Sequence, residues 1–297
     1  MNIVKSLLGS IRVPFLILTP ACVAVGVGTA YWQTQQLNFP HVFWVLVGAL
    51  LAHISVNAFN EYFDFKSGLD TRTQKTPFSG GSGTLPSHPE LERSALLLSV
   101  ITLVIAAAIG GYFVWLQGWQ LLPLGVFGLL LIVTYTIWWV YNPVLSLVAP
   151  GLGFGILMVM GTHFALTGTY TWSSFMASLT PTFLVSNLLL LNQFPDVEAD
   201  MTVGRKHYPI KIGRKASSNL YGMFLVLAYL SIFIGVLLGV LPVLSLIALL
   251  SSILAWRVYK GVSQNADNPA ELIPFMGQNV IINIVTPVLL AIGLFLG

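Results

Sequence analysis

Charged side chains are scarce in this chain. Of its 297 residues, 13 are Lys or Arg and 10 are Asp or Glu, so that 8% are charged, whereas a typical soluble domain has about 25%. Hydrophobic residues make up 56% of the sequence, and the mean hydropathy is +0.84. This composition excludes an ordinary soluble protein and predicts an integral membrane protein.

Cysteine is nearly absent as well. Cys22 is the only one, which excludes internal disulfides and metal–thiolate clusters. No cleavable signal peptide is evident, because Lys5 and Arg12 precede an apolar run that is long enough to remain as a membrane span. The pI near 9.0 follows from membrane topology, so we expect no nucleic-acid partner.

Long apolar runs fill most of the remaining sequence. A spanning helix needs about 20 mostly apolar residues. Runs that qualify lie at roughly 12–31, 41–62, 94–116, 119–140, 144–166, 174–194, 219–239, 242–258 and 276–296. The seventh and eighth runs are divided only by the break at Gly239–Pro242, so eight spans are the alternative to nine. We predict an all-α, polytopic membrane protein with a single domain over residues 1–297.

The placement of the few charges decides between these counts. They fall in four segments, Lys5–Arg12, Glu61–Arg93, Asp196–Lys215 and Arg257–Glu271. Nine spans with a cytoplasmic N-terminus put all 13 basic residues on the cytoplasmic side, as the positive-inside rule requires. Eight spans would put Arg257 and Lys260 on the opposite side. We therefore predict nine spans, with both acidic segments facing the cytoplasm of what we expect to be a prokaryotic cell.

The first acidic segment follows the second predicted span. Asn57, Asn60 and Asp64 are spaced i, i+3 and i+7, so they share one face at the cytoplasmic end of that helix. Glu61 lies one position round from Asn60, and Asp70 follows in the loop. The pattern predicts a polar face that points into the bundle.

A glycine-rich run, Thr76–Gly83, comes next in the same connection. Such glycine density is typical of a loop that bends tightly or closes over a ligand. A flexible linker is the alternative interpretation.

The second acidic segment ends the sixth predicted span. Asp196 and Asp200 are four residues apart, so a helix would put them on one face with Glu198 turned away. Pro195 is expected to bend or restart the helix and so aim this pair.

Two groups of carboxylates at one membrane boundary would repel each other unless cations bridged them. Oxygen ligands without a nearby His or Cys cluster favour Mg²⁺ over Zn²⁺. Magnesium usually binds one or two carboxylates together with substrate phosphates. Basic side chains suited to a diphosphate flank both segments, at Arg72, Lys75, Arg205, Lys206 and Lys211. The sequence predicts a magnesium-dependent diphosphate site, and a solvated loop of mutually neutralising charges is the alternative.

The first segment resembles the Asn-Asp-xx-Asp motif of the UbiA superfamily of intramembrane prenyltransferases, a resemblance that extends over the full chain. Asn60–Asp64 matches this motif, with Glu61 in place of the usual aspartate. Asp70 follows Asp64 by six residues, which is similar to the dihydroxynaphthoate prenyltransferases of menaquinone synthesis. The 4-hydroxybenzoate enzymes usually space this acid at four.

The second segment resembles the family motif Asp-xxx-Asp followed by Gly and two basic residues. The matching positions are Asp196, Asp200, Gly204, Arg205 and Lys206. Ile210–Gly213 is similar to the closing Val-Arg-Leu-Gly, and Arg12 with Pro14 to the family's Arg-Pro opening. Pro195 stands where the menaquinone enzymes commonly have arginine, and His207–Tyr208 replaces a usual Thr-Leu pair.

The resemblance implies helices around a central cavity that opens to lipid, a polyprenyl diphosphate donor, an aromatic acceptor and Mg²⁺. The acceptor it favours is a 1,4-dihydroxy-2-naphthoate-type quinone precursor, with 4-hydroxybenzoate or a glycerol phosphate as alternatives. The metal ligands it implies are Asn60, Asp64, Asp70, Asp196 and Asp200, of which Asp64, Asp196 and Asp200 are catalytic. The substrate-binding residues it implies are Arg12, Asn57, Asn60, Arg72, Lys75, Arg205, Lys206 and Lys211. For Arg12, a purely topogenic charge is the alternative.

Aromatic side chains near the acidic segments are candidates to stabilise an allylic cation, namely Tyr62, Phe63, Tyr135, Trp138, Trp139 and Tyr141. Trp and Tyr near span ends are more commonly interface anchors. A secondary transporter is the main rival function, but transporters place ionisable groups or broken helices near the bilayer midplane, and the charges here lie at one surface. A catalytically inactive, lipid-binding homologue is the third possibility.

Overall fold

The computed structural model describes residues 9–73 and 75–297, so the predicted cytoplasmic charge Lys5 lies outside the described part. Long helices joined by short connections make up this part of the chain, and no strand occurs in it. The long helices are Val13–Thr34 (α1), Phe39–Lys66 (α2), Pro89–Gln117 (α3), Trp119–Thr134 (α4), Pro143–Thr167 (α5), Trp172–Thr202 (α6), Arg214–Leu237 (α7), Val243–Gln264 (α8) and Pro269–Leu296 (α9). The all-α, polytopic fold is confirmed.

The helix α4 departs from the predicted span. Within residues 9–73 and 75–297, eight helices are long and apolar enough to cross a membrane, and α4 is shorter. The sequence predicts a span to residue 140, but the helix ends at Thr134 and the chain turns before a 3₁₀ segment at Trp139–Tyr141. The backbone N–H of Lys206 donates to the Val140 carbonyl at 3.1 Å. This contact ties the α4–α5 connection to the second acidic segment, and the count of nine spans stays a prediction.

The predicted break between the seventh and eighth spans is present. Gly239 follows α7 with φ +69°, a conformation that favours glycine. At the other end of this helix pair, the Lys215 side chain contacts the Ser263 carbonyl, so α7 begins beside the end of α8. Arg257 and Lys260 therefore lie toward the same end of the bundle as the second acidic segment.

The helix α6 runs through Pro195 without a restart. It begins at a capping box in which Thr171 accepts a hydrogen bond from the Ser174 backbone, and it ends at Thr202. Of the two alternatives predicted for Pro195, a bend or a restart of the helix, the restart is therefore wrong and the bend stays a prediction. Because the helix is continuous, Asp196 and Asp200 lie one turn apart on the same face.

Glycines allow α5 to pack closely on α6. A Cβ built on Gly151 would lie 2.1 Å from the Thr182 carbonyl oxygen, and one on Gly155 would lie 1.9 Å from the Thr182 hydroxyl oxygen. Small residues permit such approach of helices in a membrane. The α5 helix widens to a π-helix over Gly153–Met160 in this region. The contact fixes one wall of a large cavity relative to the acidic end of α6.

Buried apolar residues form more than one core cluster. Leu190, Tyr221, Val258 and Met276 are fully buried in a cluster built by α6, α7, α8 and α9. Another cluster is built by α1–α5, beside a cavity that residues of α1–α6 line. Large apolar side chains cover the outer surface, as expected where helices meet lipid.

We expect Gly155→Ala to destabilise the protein, because its new methyl group would overlap Thr182 and the carbonyl of Ser178. Overpacking of this kind costs about 1–3 kcal/mol. The matched control is Gly110→Ala, since no atom lies within 4 Å of a Cβ at Gly110. Thermal unfolding in detergent should show a lower Tm for Gly155→Ala only. Equal Tm values for the two variants would contradict the close packing of α5 on α6.

Candidate active site

The first acidic motif lies at the end of α2 and faces the bundle interior. Arg12 donates from Nη2 to the Asn60 Oδ1 at 3.0 Å, and the Asn60 amide approaches the Thr136 hydroxyl at 3.3 Å. Asn57 donates to the carbonyl of Ile11 at 2.9 Å. These bonds fasten the start of the described chain and the α4–α5 connection to one face of α2.

The second acidic motif meets the first across a single arginine. The guanidinium of Arg205 contacts Oδ1 of Asp64, on α2, and donates to Oδ1 of Asp200, on α6, at 3.2 Å. Asp200 also lies 2.9 Å through its Oδ2 from the Nε2 of His207. Arg205 thus links two carboxylates that are far apart in sequence.

Electrostatics explain why Arg205 stays charged at this position. Burial disfavours the charged guanidinium, but the carboxylates of Asp64 and Asp200 outweigh this effect and raise the pKa of Arg205. Because arginine is already protonated at any physiological pH, the consequence is a permanent positive charge between the two motifs.

A polar pocket of about 90 Å³ contains the acidic side chains of both motifs. Asp64, Asp70, Asp196 and Asp200 all line it, together with Arg12 and Arg205. Burial raises the pKa of Asp70 to about 8, and the neighbouring carboxylates of Asp64 and Glu61 add to this effect. A cation in this pocket would favour the ionised form of Asp70.

The pocket fits a divalent cation that is shared with a ligand. Asp70 Oδ2 and Asp196 Oδ1 are buried, with no hydrogen-bond partner among the described residues. Across residues 9–73 and 75–297, no three His, Cys, Asp or Glu side chains converge enough to hold a metal by themselves. A hard cation here would therefore need further oxygen ligands from water and from a substrate, which is how Mg²⁺ usually binds.

The glycine-rich run forms one wall of this pocket. Ser79, Gly80 and Gly81 line it, and Ser79 and Gly80 lie against Asp196. Gly81 has φ +74°, and a Cβ there would lie 2.5 Å from Oδ1 of Asp70. A side chain at position 81 would thus be strained and would collide with a proposed ligand.

The polar pocket adjoins an apolar cavity of about 450 Å³. Several residues line both spaces, among them Arg12, Asn60, Phe78, Tyr135 and Asn192. The cavity extends along α2 from Asn60 to Val45, a distance of about 22 Å at 1.5 Å per residue. The arrangement can hold a molecule with a charged head and a long apolar tail.

Some predicted residues do not reach this site. Arg72, Lys75, Lys206 and Lys211 are exposed and do not line either space. The side chain of Lys75 lies across Gly83, and the backbone of Lys206 bonds to the α4–α5 connection. The structure therefore does not bring these four predicted substrate-binding residues to the pocket, whereas Arg12, Asn57, Asn60 and Arg205 line one or both spaces.

The structure also selects among the aromatic candidates. Tyr135 lines both spaces, while Trp138 and Tyr141 are largely exposed and fit the alternative role of interface anchors. Phe78, which the sequence analysis missed, lines both spaces as well. Its position in the glycine-rich run beside the acidic motif was the available signal.

His207 is the second residue that the sequence analysis missed as part of the site. It appeared there only as a departure from the family pattern. The structure buries it in the polar pocket, beside Asp200. The available signal in the sequence was a histidine seven residues after Asp200, close to the second acidic motif.

We expect Arg205→Gln to destabilise the protein in buffer that contains a metal chelator, because Asp64 and Asp200 would lose their shared positive charge. Removal of one partner of a buried ion pair costs about 3 kcal/mol. The neighbouring, exposed Lys206→Gln changes the net charge equally and should leave Tm unchanged. Differential scanning fluorimetry in detergent measures both. A wild-type Tm for Arg205→Gln would show that the bridge contributes nothing to stability.

Comparison with known proteins shows the family and the fold. A model of the UbiA prenyltransferase family matches residues 19–279. The 1,4-dihydroxy-2-naphthoate octaprenyltransferase of Bacillus subtilis (strain 168) is 29% identical over 286 residues, which cover 94% of this chain and 89% of that protein. The apo structure of a UbiA homologue from Aeropyrum pernix K1 superposes with a TM-score of 0.71 at 16% identity, covering 92% of this chain and 94% of the other. A UbiA homologue from Archaeoglobus fulgidus, solved bound to GPP and Mg²⁺, gives 0.63 at 15% identity, covering 96% and 99%. This chain belongs to the UbiA prenyltransferase family and is a multi-pass membrane transferase.

Proposed function

We propose that this protein transfers a polyprenyl group from a prenyl diphosphate to a 1,4-dihydroxy-2-naphthoate-type acceptor, with Mg²⁺ as cofactor. One observation carries the proposal: a pocket lined by both acidic motifs opens onto a long apolar cavity. The named relative from Bacillus subtilis supports the naphthoate acceptor. The Archaeoglobus fulgidus homologue, bound to GPP and Mg²⁺, supports the donor and the metal.

The diphosphate would occupy the polar pocket. Asp64, Asp196 and Asp200 are proposed to hold the metal, with Asn60 and Asp70 completing the set. Bound Mg²⁺ would neutralise the diphosphate and stabilise the charge that develops on it as the allylic C–O bond breaks. Arg12 and Arg205 would donate hydrogen bonds to the diphosphate oxygens. Arg12 suits this role because its Nε is buried without a partner among the described residues.

The isoprenoid tail would lie in the apolar cavity. Its walls come from α1–α6, and side chains such as Val45, Leu131 and Leu157 line them. Burial of a hydrocarbon chain there is favoured by about 25 cal/mol per Å² of apolar surface. Apolar walls also keep water away from the allylic carbon, which limits hydrolysis of the donor.

Bond cleavage would leave an allylic cation at the junction of the two spaces. The C–O electron pair departs with the diphosphate, and the electron-rich acceptor ring then attacks the cation and loses a proton. Tyr135 and Phe78 line this junction. An aromatic face stabilises a cation by about 0.5–2 kcal/mol, so these two rings are proposed to shield the cation until the acceptor attacks.

The acidic motifs are proposed to face the cytoplasm. Arg257 and Lys260 of α8 lie toward the same end of the bundle as the second motif. The positive-inside rule puts an end rich in basic residues in the cytoplasm. A prokaryotic inner membrane is the proposed location.

We expect Asp64→Asn and Asp196→Asn to reduce prenyl transfer by at least 100-fold, because each removes a carboxylate from the shared pocket. Glu198→Gln is the matched control, since Glu198 is exposed and pairs with Arg214 away from the pocket. Product formation by purified protein with Mg²⁺, and again with EDTA, measures the effect. Full turnover by either aspartate variant, or by wild type in EDTA, would contradict the metal assignment.

The acceptor is tested by competition. We expect a labelled prenyl diphosphate to be transferred to 1,4-dihydroxy-2-naphthoate in preference to 4-hydroxybenzoate or glycerol phosphate when all three are present. Mass spectrometry of the extracted lipid identifies the product. A product formed only from 4-hydroxybenzoate or glycerol phosphate would retain the transferase and overturn the naphthoate assignment.

A further inference from the structure

Glu61 is fully buried, yet it does not line the polar pocket that contains Asp64 and Asp70. It is directed instead toward the end of the glycine-rich run. The Ser82 hydroxyl donates to Oε1 at 2.5 Å, and the Ser82 backbone N–H donates to Oε2 at 3.2 Å. The backbone N–H of Leu85 donates to Oε1 at 3.4 Å. Both carboxylate oxygens therefore accept hydrogen bonds from the end of the run and from Leu85 just after it.

The other end of the run is fixed by its own turn. The Thr76 hydroxyl accepts hydrogen bonds from the backbone of Phe78 and Ser79, at 3.1 and 2.8 Å. Phe78 packs beside Gly277 of α9, with 3.1 Å between its ring and a Cβ built there. The residues between these two anchors, Ser79–Gly81, form the wall of the polar pocket.

We propose that Glu61 is a positioning residue that holds Thr76–Gly83, hereafter the pocket loop, over the diphosphate site. This inference rests on the proposed function for its catalytic consequence. Two of the three hydrogen bonds to Glu61 fix Ser82 and the third fixes Leu85. Ser82 in turn fixes where Gly80 and Gly81 meet Asp196 and Asp70. Glu61 thus acts on the donor through the loop and not as a ligand of the metal.

The length of the Glu61 side chain matters for this role. An aspartate at this position, the residue usual in the family motif, would withdraw the carboxylate by roughly 1.5 Å, one C–C bond. The contacts with Ser82 would then exceed hydrogen-bonding distance. Glutamine keeps the length, but its NH₂ group faces the Ser82 N–H in one orientation and the Leu85 N–H in the other, so that two donors meet in either case.

Hydrogen exchange tests the contact between Glu61 and the pocket loop without any assumption about the reaction. In detergent-solubilised full-length protein without substrate, Glu61→Gln should make the amides of Ser82 and Leu85 exchange at least 10-fold faster than in wild type. Glu198→Gln, an acid of the other motif that is exposed, should leave them unchanged. Equal exchange rates of these two amides in Glu61→Gln and in wild type would overturn the positioning role of Glu61, whatever the protein catalyses.

Steady-state kinetics test the consequence for the donor. With geranyl diphosphate and Mg²⁺, Glu61→Gln should raise KM for the donor at least 10-fold and increase the share of donor hydrolysed to prenol, while KM for the acceptor stays constant. A merely structural role would lower the amount of active enzyme, and hence kcat, without moving KM or the hydrolysed share. That result would overturn the positioning role.

A second variant covers a failure of Glu61→Gln to fold. Ser82→Ala keeps the buried carboxylate and removes only one of its bonds, so it should show the same KM shift in smaller degree. On a logarithmic scale, the KM shift of the double variant should be smaller than the sum of the two single-variant shifts, because the residues act through one contact. Additive effects would overturn the coupling.

If wild type transfers a prenyl group to no acceptor, the proposed function fails. The exchange experiment alone then decides whether Glu61 holds the pocket loop.

Discussion

The concentration of carboxylates at the mouth of an apolar cavity is the constraint on which the rest of this structure depends. Four Asp side chains from two distant segments share a pocket of about 90 Å³. Like charges at such a distance disfavour one another unless cations lie between them. Arg205 supplies one such charge by contacting Asp64 and Asp200 together. The pocket is therefore built to hold cations, and a diphosphate with its divalent ions meets that requirement.

The fold delivers these groups to one place through close helix packing. Gly151 and Gly155 let α5 approach α6, while bonds from Arg12 and Thr136 hold Asn60 on α2. The α4 helix ends early, so that the following connection can reach the second motif through Val140 and Lys206. Tyr135, directly after the end of α4, and Val140, in the connection, both line the polar pocket. The irregular segments thus serve the site, and the regular helices supply its apolar walls.

Local periodicity was sufficient to predict much of this arrangement. Helical spacing correctly put Asn60 with Asp64 and Asp196 with Asp200, and the break at Gly239–Pro242 correctly divided α7 from α8. Contacts between segments distant in sequence were not predictable in this way. The burial of Glu61 against Ser82 and the exposure of Lys75 depend on how the α2–α3 connection folds back over α2, and Lys206 is placed by its backbone bond to Val140. The spacing of residues along the chain does not predict how this connection folds, because a side chain can satisfy its local pattern whether it faces the bundle or the solvent.

A structure of the protein with Mn²⁺ and a non-hydrolysable geranyl thiodiphosphate tests the central claim most directly, because anomalous scattering locates the metal. The account predicts manganese within about 2.2 Å of oxygens from both acidic motifs, Asp64 on one side and Asp196 on the other, with diphosphate oxygens completing the coordination. The geranyl tail should enter the cavity along α2. Metal and diphosphate bound to only one motif, or a tail outside that cavity, would contradict it.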